Sequence, residues 1–187
     1  NTLETLSFSN ENKALLFSVF KATSLGPINL FEKKSSGITL TDSEKNEWKR
    51  IELRIDTCCA AAKKIGVKML IDAEESWIQP AIDQIAESLM EKYNKKIPLI
   101  YTTLQMYRKD RMIYMKNLYN KASKRNFKVG IKLVRGAYIE KENLKAYKLG
   151  KPTPICESKE LTDQNFNNGI DYMLSKINIG SLFLGSH

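Results

Sequence analysis

Two cations, a small-residue turn and an aromatic ring fall within one short stretch, Lys132-Leu133-Val134-Arg135-Gly136-Ala137-Tyr138, directly after Val129-Gly130-Ile131. The β-rich run reads as a strand that ends in a turn, and a strand end so equipped can become a binding site. Successive side chains of a strand point to opposite faces. Ile131 and Leu133 therefore share one face and Lys132 and Val134 the other, so the Lys132 ammonium points away from its apolar neighbours. Gly136-Ala137 lets a ligand approach the backbone, because neither side chain stands in the way. The same residues also describe a strand that simply stops in a turn with solvated charges, and spacing alone leaves both readings open.

Other polar residues fall in equivalent places. An apolar run from Leu15 to Phe20 ends at Lys21, Val67 to Ile71 ends at Asp72-Ala73-Glu74-Glu75, Pro98 to Leu104 ends at Gln105, and Ser181 to Leu184 leads to Ser186-His187. Amphipathic stretches separate these runs. After a loop at Gly26-Pro27 and a turn at Ser35-Ser36-Gly37, Thr41-Asp42-Ser43-Glu44 has the T-x-x-E form of a capping box. Trp48, Ile51, Ile55, Cys58 and Ala62 follow at helical spacing, so a helix is expected from there to Gly66. Pro80 suits an early position of a second helix that carries Ile82, Ile85 and Leu89. Met115, Leu118, Tyr119 and Ala122 mark a third. Helical sequence resumes near Glu140, a proline-punctuated loop covers Lys151 to Pro154, and a further helix spans Ser158 to Lys176.

Strands alternating with helices imply βαβ units and a parallel sheet, either doubly wound or closed as a barrel. Such architectures gather ligand sites at the carboxyl ends of their strands, which is where Lys21, Asp72, Gln105, the Lys132 to Tyr138 segment and His187 fall. No G-x-G-x-x-G follows the first strand and no G-x-x-x-x-G-K-[ST] occurs, which argues against a Rossmann dinucleotide site or a P-loop. A barrel carrying its ligand across the strand ends is the better reading, as a single domain over residues 1–187, since no composition break marks a linker. Taken singly, Lys21 is an ordinary solvated lysine and Asp72 a helix cap.

The chain has 30 Lys and Arg against 21 Asp and Glu, a net charge of +9, so an anionic partner is expected. That charge is spread along the expected helices, at Lys63-Lys64, Lys95-Lys96 and Lys124-Arg125, as solvated faces. Hydrophobic residues make up 42%, which is a globular balance rather than a disordered one. Three cysteines, two of them adjacent at Cys58-Cys59, are too few and too badly spaced for a disulfide scaffold or a zinc site. They read as buried packing thiols in a reducing compartment, and no metal is expected. No apolar run reaches the roughly 18 residues of a membrane span, and Asn1 to Asn10 lacks the order of a signal peptide. Without an initiator Met, the chain is expected to begin inside a longer protein.

Several ordered motifs carry a resemblance to the proline dehydrogenase family, flavin-dependent enzymes that begin proline catabolism on a (β/α)8 barrel. Lys132 to Tyr138 (KLVRGAY) resembles the family's K/R-L-V-R/K-G-A-Y signature, and Leu70-Ile71-Asp72-Ala73-Glu74 its I-D-A-E strand end. Tyr101 to Tyr107 (YTTLQMY) resembles the N-T-x-Q-x-Y segment, Val19-Phe20-Lys21-Ala22-Thr23 the V-K-x-T element, and Gly185-Ser186-His187 the start of x-[TS]-H-N. The resemblance implies that Lys132 lies beside the reactive nitrogen of the flavin, where many bacterial members have arginine and others lysine. There it would stabilise negative charge as the ring accepts a hydride. It further implies that Arg135, Gly136 and Ala137 line the FAD, that Gln105 hydrogen-bonds its ring, that Ala73, Ser186 and His187 touch it, and that Lys159 reaches its phosphates. Lys21 would bind the substrate carboxylate, Asp72 would orient cationic groups beside it, and Tyr138 would pack on the substrate ring. Asp72 and Lys132 are thus the implied catalytic residues.

The implied reaction is oxidation of L-proline to Δ1-pyrroline-5-carboxylate by hydride transfer to FAD, with electrons passing on to a membrane quinone. No general base is identifiable, and bulk water could take the amine proton. The implied setting is the cytoplasm, with peripheral association at the inner membrane, on the matrix side in a eukaryote. The family pattern continues past the His187 position with more strands and a helix bearing two neighbouring arginines. The implied fold is therefore an incomplete (β/α)8 TIM barrel with about five parallel strands, its closing strands and last helix missing. An isolated chain of this kind is expected to be weakly active or inactive, to hold flavin poorly and to aggregate through open edges. Two other readings are hydroxyproline oxidation on the same motifs and a basic module for RNA or another polyanion. Against the second, Tyr93, Tyr101, Tyr107, Tyr114 and Tyr119 do not alternate with Arg and Lys on a strand platform, so no nucleic-acid partner is expected.

Overall fold

The computed structural model describes residues 16–185. Five strands, β1 (Phe17–Lys21), β2 (Lys68–Asp72), β3 (Ile100–Gln105), β4 (Val129–Val134) and β5 (Gly180–Gly185), form one parallel sheet in chain order. A 3-10 turn (Ala22–Leu25), α1 (Ile28–Ser35) and α2 (Asp42–Ile65) join β1 to β2. The later connections use α3 (Gln79–Tyr93), then α4 (Arg111–Arg125), then the pair α5 (Ile139–Lys148) and α6 (Lys159–Ser175). Strand order decides between the two parallel architectures. A doubly wound sheet reverses its order at a switch point, whereas right-handed crossovers that never reverse put every helix on one face and curl the sheet into a barrel wall. Curling is visible in the side chains: Phe17 on one edge strand meets Phe183 on the other, with ring centroids 5.1 Å apart. Tyr101, edge-on to Phe17, donates its hydroxyl to Ser181 Oγ at 2.8 Å.

The two faces of the sheet do different work. Phe20, Met69, Ile71, Ile100, Leu104, Val129, Ile131 and Leu133 point outward into one core with Ile51, Ile55, Ile82, Leu89, Leu118, Phe166 and Met173 of the helices. Each such aliphatic or aromatic side chain contributes about 1.5–3 kcal/mol on burial. On the concave face, the pairings Lys21 with Asp72, Thr103 with Lys132 and Lys132 with Phe183, with the β2–β3 register fixed by Ile71 opposite Thr102 on the outer face, set Lys21, Asp72, Thr103, Lys132 and Phe183 in one row. The alternation that buries Ile131 and Leu133 thus delivers a polar row to the inside of the curve, near the strand ends.

Local sequence explains the helices. The capping box of α2 forms: Glu44 N donates to Thr41 Oγ1 at 3.3 Å and Thr41 N to Glu44 Oε2 at 2.9 Å, while Gly66, at φ 75°, closes the other end. The segment between Pro27 and Ser36 is a helix, α1, where the sequence marks only a loop and a turn. It is eight residues long and is held from outside, by Phe31 packed edge-on to Trp48 at 5.1 Å and by Ser35 Oγ donating to Ile78 O at 2.9 Å. Cys58 and Cys59 are buried in α2, and burial together with Cys58 pushes the Cys59 thiol up to about 12. Cys156 departs from the expected buried thiol: it is half-buried and accepts from Asn165 Nδ2 at 3.3 Å. At the amino-terminal end of the sheet, buried Asn94 donates to Ile100 O and Lys128 O and accepts from Leu99 N and Ile100 N, tying the starts of β3 and β4 together. Among the described residues no helix is long and apolar enough to cross a membrane.

Candidate active site

The carboxyl ends of β1 to β4 surround a cavity of about 250 Å³, lined by Lys21, Asp72, Ala73, Thr103, Gln105, Lys132, Val134, Gly136, Ala137 and Tyr138. All but Thr103 and Val134 are singled out by the sequence. They come from four strand ends and the turn after β4, so the parallel register, rather than any one segment, assembles them.

Lys132 Nζ donates to Asp72 Oδ1 at 2.9 Å, with the two side chains 18% and 27% exposed. Thr103 Oγ1 lies between the strands, 3.0 Å from Ile71 O and 3.3 Å from Asp72 Oδ1. Asp72 is therefore committed to Lys132 and Thr103, and α3 starts several residues later without a side-chain cap. On the other side Lys21 Nζ donates to the Tyr138 hydroxyl at 3.2 Å. That hydrogen bond, with the negative charges of Glu74 and Asp72 nearby, holds the Lys21 ammonium above its ordinary pKa of 10.5, against the opposing effect of burial. Two ammonium groups thus share the cavity wall with one carboxylate, and the surplus positive charge suits an anionic ligand or a ring that gains negative charge.

Gln105 is buried, donating Nε2 to Glu74 O at 2.8 Å and accepting at Oε1 from Arg108 Nη1 at 3.3 Å. Gly185 shapes the site from β5: a Cβ there would lie 2.9 Å from Lys132 Cε and 3.0 Å from Val134 Cγ1, so any side chain would push the lysine tip off its present path. Glu74, the last residue of the I-D-A-E motif but given no role by the sequence, accepts at its carboxylate from Thr23 N at 3.1 Å and Thr23 Oγ1 at 2.5 Å and so braces the turn after Lys21. Sequence does not mark Glu142. This buried carboxylate accepts from Ser76 N and Ser76 Oγ, both at 2.6 Å, and ties α5 to the loop after β2. Lys141 adds an ion pair to Glu75 across the same junction. The segment Gly136 to Tyr138 is thereby anchored on its helical side.

Arg135 and Lys159 do not join the cavity wall. They converge on Asp163 instead, Arg135 Nη1 at 2.8 Å from Oδ1 and Lys159 Nζ at 2.5 Å from Oδ2, with the Arg135 guanidinium 4.8 Å from the Phe166 ring centroid. Lys159 first, and Arg135 with it, hold the Asp163 carboxyl below its usual range. Ser186 and His187 lie outside the described residues.

A curved parallel sheet in chain order, with a basic cavity at its carboxyl strand ends, defines a segment of a (β/α) barrel. The family profile described as Proline dehydrogenase matches residues 9–187, and the chain belongs to the proline dehydrogenase family. Similar proteins include the carbapenem antibiotics biosynthesis protein CarD of Pectobacterium carotovorum subsp. carotovorum, 31% identical over all of this chain and 49% of the relative. Mitochondrial proline dehydrogenase 1 of Dictyostelium discoideum is 35% identical over 83% of this chain and 28% of its own length. Among solved structures, proline utilization A (PutA) from Bdellovibrio bacteriovorus superposes with a TM-score of 0.83 at 19% identity, over 100% of this chain and 20% of PutA, a likeness of fold. The chain spans about half the length of the carbapenem-related protein and less of the others.

Proposed function

We propose that the full-length protein oxidises L-proline to Δ1-pyrroline-5-carboxylate with FAD and passes the electrons to a membrane quinone. The observation that carries this reading is the convergence of Lys21, Asp72, Gln105, Lys132, Gly136-Ala137 and Tyr138 on one cavity from four separate strand ends. The donor set fits a flavin ring: an ammonium at Lys132, an amide N–H at Gln105 and backbone approachable at Gly136-Ala137 suit a planar acceptor whose edge gains negative charge. Arg135 and Lys159, joined at Asp163, would hold the rest of the cofactor. Ser186 and His187, outside the described residues, are the further contacts that the family motif implies. Bound FAD would supply the hydride acceptor.

The chain's own residues supply position and charge. Lys21, protonated at any physiological pH, would take the substrate carboxylate. Asp72 holds the Lys132 ammonium in place and offers its remaining lone pairs to a cationic group of the substrate. Tyr138, hydrogen-bonded to Lys21, presents its ring to the pyrrolidine and excludes water from one side. Fixing the reacting carbon between these groups supplies much of the acceleration by orientation alone. The family match and relatives named proline dehydrogenase support proline as substrate. Relatives named as mitochondrial support a mitochondrial setting if the source is eukaryotic; a peripheral site at the inner membrane, on its matrix or cytoplasmic face, follows from the proposed quinone acceptor.

The test is a flavin absorption spectrum of the purified full-length protein, with dye-coupled turnover of L-proline and hydroxyproline. Yellow protein with turnover, and a Lys21→Met variant whose KM rises by at least about tenfold, is the expected result, since a charge-assisted contact is worth about 1.5–3 kcal/mol. Colourless protein, or Lys21→Met with unchanged KM, would overturn the assignment.

A further inference from the structure

Behind the cavity, the polar groups around Gln105 close on themselves. Gln105 Nε2 donates to Glu74 O at 2.8 Å, and Glu74 N donates to Gln79 Oε1 at 2.8 Å. Gln79 Nε2 donates to Asp83 Oδ1 at 2.8 Å, and Arg111 Nη1 reaches Asp83 Oδ2 at 2.8 Å. Arg111 also pairs with Asp110, whose carboxylate receives Arg108 through Nε at 3.1 Å and Nη2 at 2.9 Å. Arg108 Nη1 completes the circuit at Gln105 Oε1, 3.3 Å away. Glu74, Gln79, Asp83, Gln105, Arg108 and Arg111 are each no more than 5% exposed, and the circuit reaches the surface through Asp110, whose side chain is 47% exposed.

Burying two arginines costs several kcal/mol per ion unless each is paired, so a buried pair beside the cavity calls for an explanation beyond packing. Direction supplies it. A carboxamide has one acceptor end and one donor end. Here the acceptor end faces a guanidinium and the donor end faces a carbonyl. Rotating the amide by half a turn would set donor against donor at Arg108 and acceptor against acceptor at Glu74. The circuit therefore admits one orientation, in which one Nε2 N–H is engaged by Glu74 O and the second has no partner among the described residues.

We propose that Arg108 is a positioning residue, which fixes the polarity of Gln105 so that the amide offers an N–H donor to an electron-poor ring carbonyl or imine in the cavity. The proposal rests on the flavin reading for the identity of that ring, but the orientation itself does not. A donor on the acceptor edge of the ring binds the reduced, more negative form more tightly than the oxidised form. Asp83, Arg111 and Asp110 act through Arg108, by holding its guanidinium against Gln105 instead of leaving it to reach solvent.

The experiment is a cycle of Arg108→Met, Gln105→Met and the double variant in the full-length protein, with Arg108→Lys as the conservative replacement. One readout is the side-chain amide signals of Gln105 in protein labelled with ¹⁵N-glutamine. The wild type is expected to give two resolved, solvent-protected N–H signals, and Arg108→Met to lose the protection while the rest of the glutamine spectrum stays in place. The other readout is the reduction potential of the bound flavin. Arg108→Met is expected to lower the preference for reduced over oxidised flavin about tenfold, about 30 mV for a two-electron couple, Arg108→Lys to recover part of it, and the effect to vanish when Gln105 is already Met. Unchanged Gln105 amide signals in Arg108→Met, or an equal potential shift with and without Gln105, would overturn the proposal. If no flavin binds, the functional reading fails, and the amide signals still decide whether Arg108 orients Gln105.

Discussion

The contact between Asp72 and Lys132 is the most sensitive point of the site, and Asp72→Asn isolates it. The substitution keeps the side-chain shape and a partner for Thr103 but removes the negative charge 2.9 Å from Lys132 Nζ. At an effective dielectric constant near 20, two unit charges at that separation attract by about 6 kcal/mol before desolvation is counted. The side chains are 18% and 27% exposed, so desolvation offsets most of this. A net value of about 2 kcal/mol is appropriate for a charge-assisted pair in such a position. For a chain of this length that corresponds to a fall in Tm of about 4–8 °C. The same 2 kcal/mol, lost from the placement of the ammonium in the transition state, is a decrease in kcat/KM of about 30-fold. The assay is thermal melting and steady-state proline oxidation of the full-length protein for Asp72→Asn, Lys132→Met and the pair. Because the two residues act as one unit, the double variant is expected to be no slower than Lys132→Met alone. Additive losses in kcat/KM, or Asp72→Asn with wild-type turnover, would refute the reasoning.

Other outcomes follow from the same coordinates. Gly185→Ala puts a Cβ 2.9 Å from Lys132 Cε; the lysine tip moves aside at little cost, so turnover is expected to drop about tenfold or more while Tm changes by less than about 4 °C, as kinetics and melting on one sample would show. Asn94→Ala removes a buried side chain making four hydrogen bonds at the far end of β3 and β4; about 3 kcal/mol of stability is expected to go, about 6–12 °C in Tm, with flavin affinity unaltered by fluorescence titration. Asp56 is pushed up by burial but held, on balance, below 3.8 by Lys92 and Tyr93. Its contribution, at most about 1 kcal/mol, is present above the unfolded value and lost as pH falls through the lower folded one. The Tm gap between wild type and Asp56→Asn should therefore shrink below about pH 4; a gap that widened in acid would reverse the sign of this argument.

Much of the site is legible in the sequence because it is written in local terms. Lys21, Asp72 and Gln105 each sit at the end of an apolar run and Lys132 two residues before the end of another, and a parallel sheet brings strand ends together whatever lies between them. The strand alternation of Val129 to Val134 separates Lys132 from the core, and the capping box at Thr41 places α2, for the same reason. What escapes the sequence depends on neighbours distant along the chain. Ser76 and Glu142 meet only after two further strands have folded, Gly185 matters only because Lys132 passes beside it, and α1 is held by Trp48 and Ile78 rather than by its own pattern. Nothing in the local pattern of Asp83, Arg108 or Arg111 marks them as buried. Their burial became visible only once α3 and α4 were placed over β3. Arg135 and Lys159, separated by a loop and a helix, meet at Asp163 for the same reason.

The most direct test of the central claim is an anaerobic titration of the full-length protein with L-proline, followed at the flavin absorption bands. The expected result is stoichiometric bleaching in the wild type, with flavin retained but bleaching slowed at least about 30-fold in Asp72→Asn. Protein that carries flavin and keeps its full absorbance in saturating proline would contradict the account.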